Sequence, residues 1–247
     1  MRILTLGTGN SLQDFTKQDL ILSDDIVTFA LHRAVPYVLQ NSTHRVDYWT
    51  WFDPNAAIEG LKYYSQTKDT NFPTIIIPDW LLTAESAKPN IGGSFFFSNK
   101  EDIKLYESTL TELQYKGKVI ALNNIISTKL FKKGHEAFIN PTIRFKDKIY
   151  YGTDWGLDEN KFTLTVLPLC HYLKATEVYS LGFDNQGTNI NNMPVHSSKT
   201  KPHLDKLKTW SEWEHLHGMK IYSCAEDKYT PNNKIITYKP IKELCKI

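Results

Sequence analysis

The chain is poor in cysteine: Cys170, Cys224 and Cys245 are the three in 247 residues. They are odd in number, widely spaced and free of any C-x-x-C pairing, which excludes a disulfide framework and a cysteine-based zinc site. No apolar run approaches the ~18–20 residues a membrane helix requires, so no integral membrane segment is expected. An excess of one charge sign is also lacking. Twenty-nine basic residues stand against 27 acidic ones, a net charge of +2, too balanced for non-specific binding to nucleic acid. Several catalytic signatures are missing as well. Without Asp-x-Asp, metal-dependent glycosyl transfer of the usual kind has no anchor. Without His-Glu-x-x-His or Gly-x-Ser-x-Gly, hydrolase readings have none either. His215 and His217 lie two apart on an expected helix and face different ways, a poor metal pair, so no metal site is expected. The opening Met1–Gly7 carries one charge and a very short apolar run. It reads as a first strand and not as a signal peptide, with the cytoplasm as the expected compartment.

What the chain has is apolar material in regular order. Hydrophobic residues make up 41% and aromatics 13%, enough for a substantial core. Buried-strand runs are expected at Ile3–Leu6, Asp25–Leu31, Asp47–Phe52, Phe72–Pro78, Lys118–Leu122, Glu177–Gly182 and Met219–Cys224. Helices are expected from Ser11, from Pro54 with Ala56, Ala57, Leu61 and Tyr64 on its apolar side, and over Lys100–Tyr115, Phe162–Leu173 and His203–His217. Ser11 with Asp14 has the form of a capping box. Ile143–Tyr151 reads as a small hairpin. Strands alternating with helices predict an α/β fold: a single Rossmann-like, doubly wound, mainly parallel sheet with helices on both faces. With no internal repeat and no Gly/Ser linker, residues 1–247 read as one domain. Asp79–Ser98 and the polar Asp184–Lys201 are expected as insertions, the second as a lid loop.

Candidate chemistry gathers at the expected strand ends. Gly7-Thr8-Gly9-Asn10-Ser11 turns from the first strand into a helix, where backbone N–H groups can meet a phosphate. It lacks the third glycine of the dinucleotide fingerprint and the Gly-Lys-Ser/Thr of a P-loop, so a plain tight turn stands beside the nucleotide reading. His32-Arg33 ends the second strand and Asp53-Pro54-Asn55 the third. Histidine and arginine suit phosphate, aspartate and asparagine a ribose or base edge. A later strand ends at Gly182-Phe183-Asp184 and leads into a loop carrying His196, with His203 beyond it. Both histidines are candidates for proton transfer near neutral pH.

The order of these motifs resembles the bacterial sialyltransferases of glycosyltransferase family 42 and the related Rossmann-like proteins of the motility-accessory-factor type. Gly7–Leu12 matches a G-x-G-x-S-L turn. Asp25–His32 matches the second strand, with His32 where the sialyltransferases have asparagine. Asp53-Pro54 stands in place of an Asn-Pro. Leu173–Asp184 resembles the family's late strand ending in G-[IV]-D, and Met219–Cys224 its last strand. The resemblance implies metal-independent transfer of a sialic acid-like sugar from a nucleotide-sugar donor, with CMP as the candidate nucleotide, to a glycan or other hydroxyl acceptor. No resident cofactor is implied. His196 or His203 would be the base, and Gly7, Gly9, Asn10, Ser11, His32, Arg33, Asp53, Asn55, Gly182 and Asp184 the donor contacts. The lid tyrosines that hold the departing phosphate in that family have no counterpart between Asp184 and Lys201. Two other readings stay open. One is a pyrophosphokinase, if Asp53, Asp154, Asp158 and Asp184 converge on a metal. The other is a non-catalytic sugar- or nucleotide-binding module with Trp49, Trp51, Trp80 and Trp155 as an aromatic platform.

Overall fold

The computed structural model describes residues 1–18, 20–51, 54–91, 97, 99–123, 125–127, 149–151, 166–183, 211, 214–215, 217–226 and 236–246. Two compact units divide the chain: Met1–Val46 with Val166–Ile247, and Asp47–Thr165.

The first unit is built on β1 (Arg2–Leu6), β2 (Ile26–Leu31), β8 (Glu177–Leu181), β9 (Lys220–Ser223) and the two-residue β10 (Thr237–Tyr238). β1 runs parallel to β2 on one side and to β8 on the other. β8 pairs with β9 and β9 with β10, again in parallel. The strands are apolar runs because little of them meets water: Ile3, Leu4, Leu6, Ile26, Phe29, Ala30 and Val178 are fully buried. At the amino edge Arg2 grips Asp25 with two hydrogen bonds, Nε to Oδ2 and Nη2 to Oδ1, each 2.7 Å. This fork pins the β1–β2 register and holds the Asp25 carboxyl below its ordinary range. Helices α1 (Ser11–Thr16) and α2 (Ala34–Asn41) follow β1 and β2, and α6 (Leu167–Tyr172) precedes β8. Phe15 of α1 stacks on His44 at 4.0 Å between ring centroids. The C-terminal segment is tied in by an antiparallel bridge, Leu22 with Cys245.

The second unit holds β3 (Tyr48–Thr50), β4 (Thr74–Pro78) and β5 (Val119–Leu122), with α3 (Asn55–Thr67), α4 (Ala84–Ile91) and α5 (Lys100–Tyr115). Its core is aromatic. The Trp51 indole N–H donates to the Tyr106 hydroxyl at 3.1 Å, which donates to the Leu81 carbonyl at 2.6 Å. Both polar tips are therefore satisfied out of water, the condition for burying such rings. Gly60 stands within α3 where Trp49 lies on the helix: a Cβ there would come 2.6 Å from the indole Cη2. β6 (Ile125–Ser127) and β7 (Ile149–Tyr151) form a separate parallel pair. In the first unit the strands run in the order β10-β9-β8-β1-β2, and in the second in the order β3-β4-β5. From β1 the first unit builds one way to β2 and later the other way to β10, the doubly wound α/β arrangement expected.

Several expectations need correction. Of the hairpin expected over 143–151, residues 143–148 lie outside the described residues, and Ile149–Tyr151 forms β7, which pairs in parallel with the distant β6. Within the expected insertion 79–98 lies a 3₁₀ turn, Asp79–Leu81, followed by α4. Pro89 masks that helix in the sequence. Its first turn is capped from elsewhere, the Ala84 N–H donating to the α5 residue Glu107 at 2.8 Å. Of the helix expected over Phe162–Leu173, residues 162–165 lie outside the described residues and Leu167–Tyr172 is helical. Asn10, and not Ser11, takes the N-cap position, without a side-chain cap bond, and the Ser11 hydroxyl accepts from the distant Gly182 N–H. Trp49 and Trp51 are fully buried, so they belong to the core and form no exposed platform. Trp155 lies outside the described residues.

Candidate functional site

The site begins with register. Leu6 pairs with Ala30 on one side and with Leu181 on the other, so β1, β2 and β8 leave the sheet at the same carboxyl edge. In open parallel sheets the ligand crevice lies at that edge, where the winding direction reverses. Here the reversal is at β1, flanked by β2 and β8.

What the glycines do there is visible in the backbone. The Gly7 N–H donates to the Leu181 carbonyl at 2.8 Å, and the Gly9 N–H to the Gly182 carbonyl at 2.6 Å. In return the Gly182 N–H donates to the buried Ser11 hydroxyl at 2.8 Å. Gly182 lies at φ +75°, and a Cβ on it would come 2.3 Å from the Gly7 carbonyl oxygen. A Cβ on Gly7 would come 2.4 Å from the Gly182 carbonyl oxygen. Only two residues without side chains allow this approach. The turn after β1 is thus clamped to the end of β8, and the N–H groups of Gly7 and Gly9 are spent inside the chain. Asn10 and Ser11 are the residues of the turn that stand at the start of α1.

Beside the clamp, β2 is followed by His32, whose φ of +51° lies in the left-handed region. A side chain there costs roughly 1–3 kcal/mol unless its surroundings hold it, and such strain concentrates at ligand clamps and active sites. Arg33 follows as the N-cap of α2 and accepts at its carbonyl from the Tyr37 N–H at 3.2 Å. Asn10 Oδ1, His32 Nε2 and Arg33 Nε are all shielded from solvent.

Of the sequence-predicted residues, Gly7, Gly9, Asn10, Ser11, His32, Arg33 and Gly182 therefore come together at one edge of the first unit. Asn55 opens α3 in the second unit, with Pro54 as its N-cap. Asp53, Asp154, Asp158, Asp184, His196 and His203 lie outside the described residues. Among the described residues, no group of three or more His, Cys, Asp or Glu is arranged to hold a metal ion, and no helix is long and apolar enough to cross a membrane.

Sequence reasoning missed a cleft of about 80 Å³ in the same unit, on the β8–β9–β10 side of α1. It is lined in part by Asp14, Gln18, Glu226, Tyr238 and Lys242. These residues share no local motif, and β10 is too short to signal itself.

No family model matches the sequence, and no curated protein matches it. Solved structures do. Monomeric CstII is similar at a TM-score of 0.50 and 15% identity, over 100% of this chain and 89% of that one. The sialyltransferase CstII from Campylobacter jejuni in complex with the substrate analogue CMP-3FNeuAc is similar at 0.49 and 16%, over 100% and 88%. The monofunctional alpha-2,3-sialyltransferase Cst-I from Campylobacter jejuni follows at 0.44 and 13%, over 100% and 88%. The likeness to monomeric CstII is one of fold: this chain has the Rossmann-like α/β fold found there.

Proposed function

We propose that the chain is a glycosyltransferase that moves a sugar from a nucleotide donor, CMP-linked in the sharpest form of the reading, to a hydroxyl acceptor without a metal. The observation that carries this is the carboxyl edge of the first unit. A glycine turn clamped by Gly182 stands beside a strand end where His32 is held in a left-handed conformation. Arg33 supplies a fixed positive charge next to it. In the proposed reaction the acceptor hydroxyl oxygen attacks the anomeric carbon, and the bond from that carbon to the phosphate oxygen breaks. The nucleotide monophosphate leaves with the electron pair. The hydroxyl proton passes to an imidazole nitrogen of His196 or His203, the two bases the sequence offers. His32, Arg33, Asn10 and Ser11 are proposed to hold the phosphate, and Asp184 the remainder of the nucleotide. Fold likeness to CstII supports the same reading.

The test is a thermal-shift titration of the whole chain with CMP, UDP, GDP and ATP, with and without Mg²⁺. CMP should raise Tm equally in both conditions, by the equivalent of about 2.7 kcal/mol at a hundredfold excess over Kd. No stabilisation by any nucleotide would sink the proposal. Stabilisation by ATP that requires Mg²⁺ would replace it with phosphoryl or pyrophosphoryl transfer.

A further inference from the structure

Both α1 and α2 start at the carboxyl edge, with Asn10 and Ser11 at the head of one and Arg33 at the head of the other. Their far ends meet at one side chain, His44. It is 8% exposed, buried in the link that follows α2. Its ring stacks on Phe15 of α1, with centroids 4.0 Å apart and planes 15° from parallel. Its Nε2 lies 3.3 Å from the Phe15 carbonyl oxygen. A carbonyl only accepts, so Nε2 carries the proton and donates. The His44 backbone N–H donates to the Ser42 hydroxyl at 3.3 Å, and that hydroxyl donates to the Val38 carbonyl in the last turn of α2 at 2.9 Å. Arg45, the next residue, is tied to the sheet. Its carbonyl accepts from the Thr28 hydroxyl of β2 at 3.0 Å, and its guanidinium donates to the Ile26 carbonyl at 2.8 Å. His44 is thus held from α2 and β2 and reaches across to α1.

α1 has six residues, too few to keep a place by its own hydrogen bonds. It is fixed from outside at both ends. At its start the Ser11 hydroxyl accepts from the Gly182 N–H at 2.8 Å, 171 residues away in the chain. At its end the Phe15 carbonyl meets His44, 29 residues away. Ser11 and Phe15 are four apart and lie on one face of the helix, so a displacement of Phe15 is carried to Ser11. The same contact sets how far α1 stands from α2, and with it the spacing of Asn10 and Ser11 from Arg33.

We infer that His44 is a positioning residue for the phosphate site, acting through α1. The inference rests on the proposed donor reading for its ligand, and on α1 alone for the brace. The two fail separately in one experiment. His44→Phe keeps a ring to stack and removes the N–H, whereas His44→Gln puts back an amide N–H. Each full-length variant is compared with the wild type by amide hydrogen exchange and by titration with CMP, at a temperature where it is fully folded. In His44→Phe the Gly182 amide should exchange at least ~5-fold faster relative to the Leu4 amide of β1, and the CMP Kd should rise at least ~5-fold. His44→Gln should recover part of both. A general loss of stability would speed Leu4 and Gly182 together and leave the Kd of the folded chain where it was. Should His44→Phe not fold, His44→Asn, whose shorter amide stops short of the carbonyl, takes its place against His44→Gln. An unchanged Gly182-to-Leu4 ratio, an unchanged CMP Kd, or losses in His44→Gln equal to those in His44→Phe overturns the positioning role. A response of the Gly182 ratio in a chain whose wild type binds no CMP keeps the brace and removes the donor reading instead.

Discussion

Replacing Gly182 by alanine tests the clamp directly. The new Cβ would sit 2.3 Å from the Gly7 carbonyl oxygen and 2.7 Å from its carbon, on a residue at φ +75°. Ordinary contact needs roughly an ångström more, so the two backbones must part by about that much. The Gly9 N–H to Gly182 carbonyl bond, 2.6 Å in the native chain, then exceeds hydrogen-bond range, and the 2.8 Å Gly7 to Leu181 bond is stretched with it. Two such bonds are worth about 0.5–1.5 kcal/mol each, and the left-handed conformation costs alanine about 1–2 kcal/mol. The expected loss is therefore about 2–5 kcal/mol. Gly218→Ala is the control in the same unit. It also has positive φ, +63°, but a Cβ there meets nothing within 4 Å, so it should lose only the conformational share of about 1–2 kcal/mol. Urea unfolding followed by circular dichroism measures both, provided the m-values agree. Gly7→Ala should also destabilise, and the double variant should lose less than the sum, because the same contact opens once. Equal losses for Gly182→Ala and Gly218→Ala would refute the clamp.

Other outcomes follow from the same structure. Lys174 is exposed with φ +62° just after α6, so Lys174→Gly should raise unfolding stability by about 0.5–1 kcal/mol; a loss would count against the left-handed backbone there. Glu112 accepts from Lys116, Lys68 and the Tyr64 hydroxyl, which together hold its carboxyl down at about 2. Its folded-state value lies below the unfolded one, so its contribution is complete above about 4.5 and lost as pH falls toward about 2. Glu112→Gln should flatten stability against pH in that interval, as acid titration would show. His217 is pushed below its ordinary 6.5 first by burial and then by the facing His171, 4.9 Å away between ring centroids. The unfolded chain binds that proton more readily, so this contribution is full above 6.5 and falls as the pH drops. His171→Ala should raise the His217 titration midpoint seen by NMR; no change would deny the pairing. Once a donor is identified, alanine at His196 or at His203 should cut transfer by at least ~10² with donor binding retained. Near-full turnover in both variants would exclude the histidine base.

Local pattern alone determined most elements of this protein. Ile3–Leu6, Thr74–Pro78 and Glu177–Leu181 are short apolar runs bounded by turn residues, and a run of that kind has few alternatives to a buried strand. Lys100–Tyr115 was legible to the residue because Asn99 caps it through its own side chain, accepting from the Asp102 N–H at 2.7 Å. The glycine turn, His32 and Gly182 could be named in advance, since each stands at the end of such a run. Partners distant in the chain were decided only by tertiary structure. Ser11 looked like a local cap, yet its hydroxyl serves the Gly182 N–H, 171 residues away. β7 found a parallel partner more than twenty residues away in β6, and α4 formed across Pro89 with its first N–H satisfied by Glu107. Residues as separate as Asp14, Glu226 and Tyr238 came to line one cleft. The physical reason is common to all of these. Apolar period and capping act over a few residues, whereas a backbone contact that tolerates no Cβ, or a buried N–H seeking an acceptor, is satisfied by whatever the folded chain brings within about 3 Å.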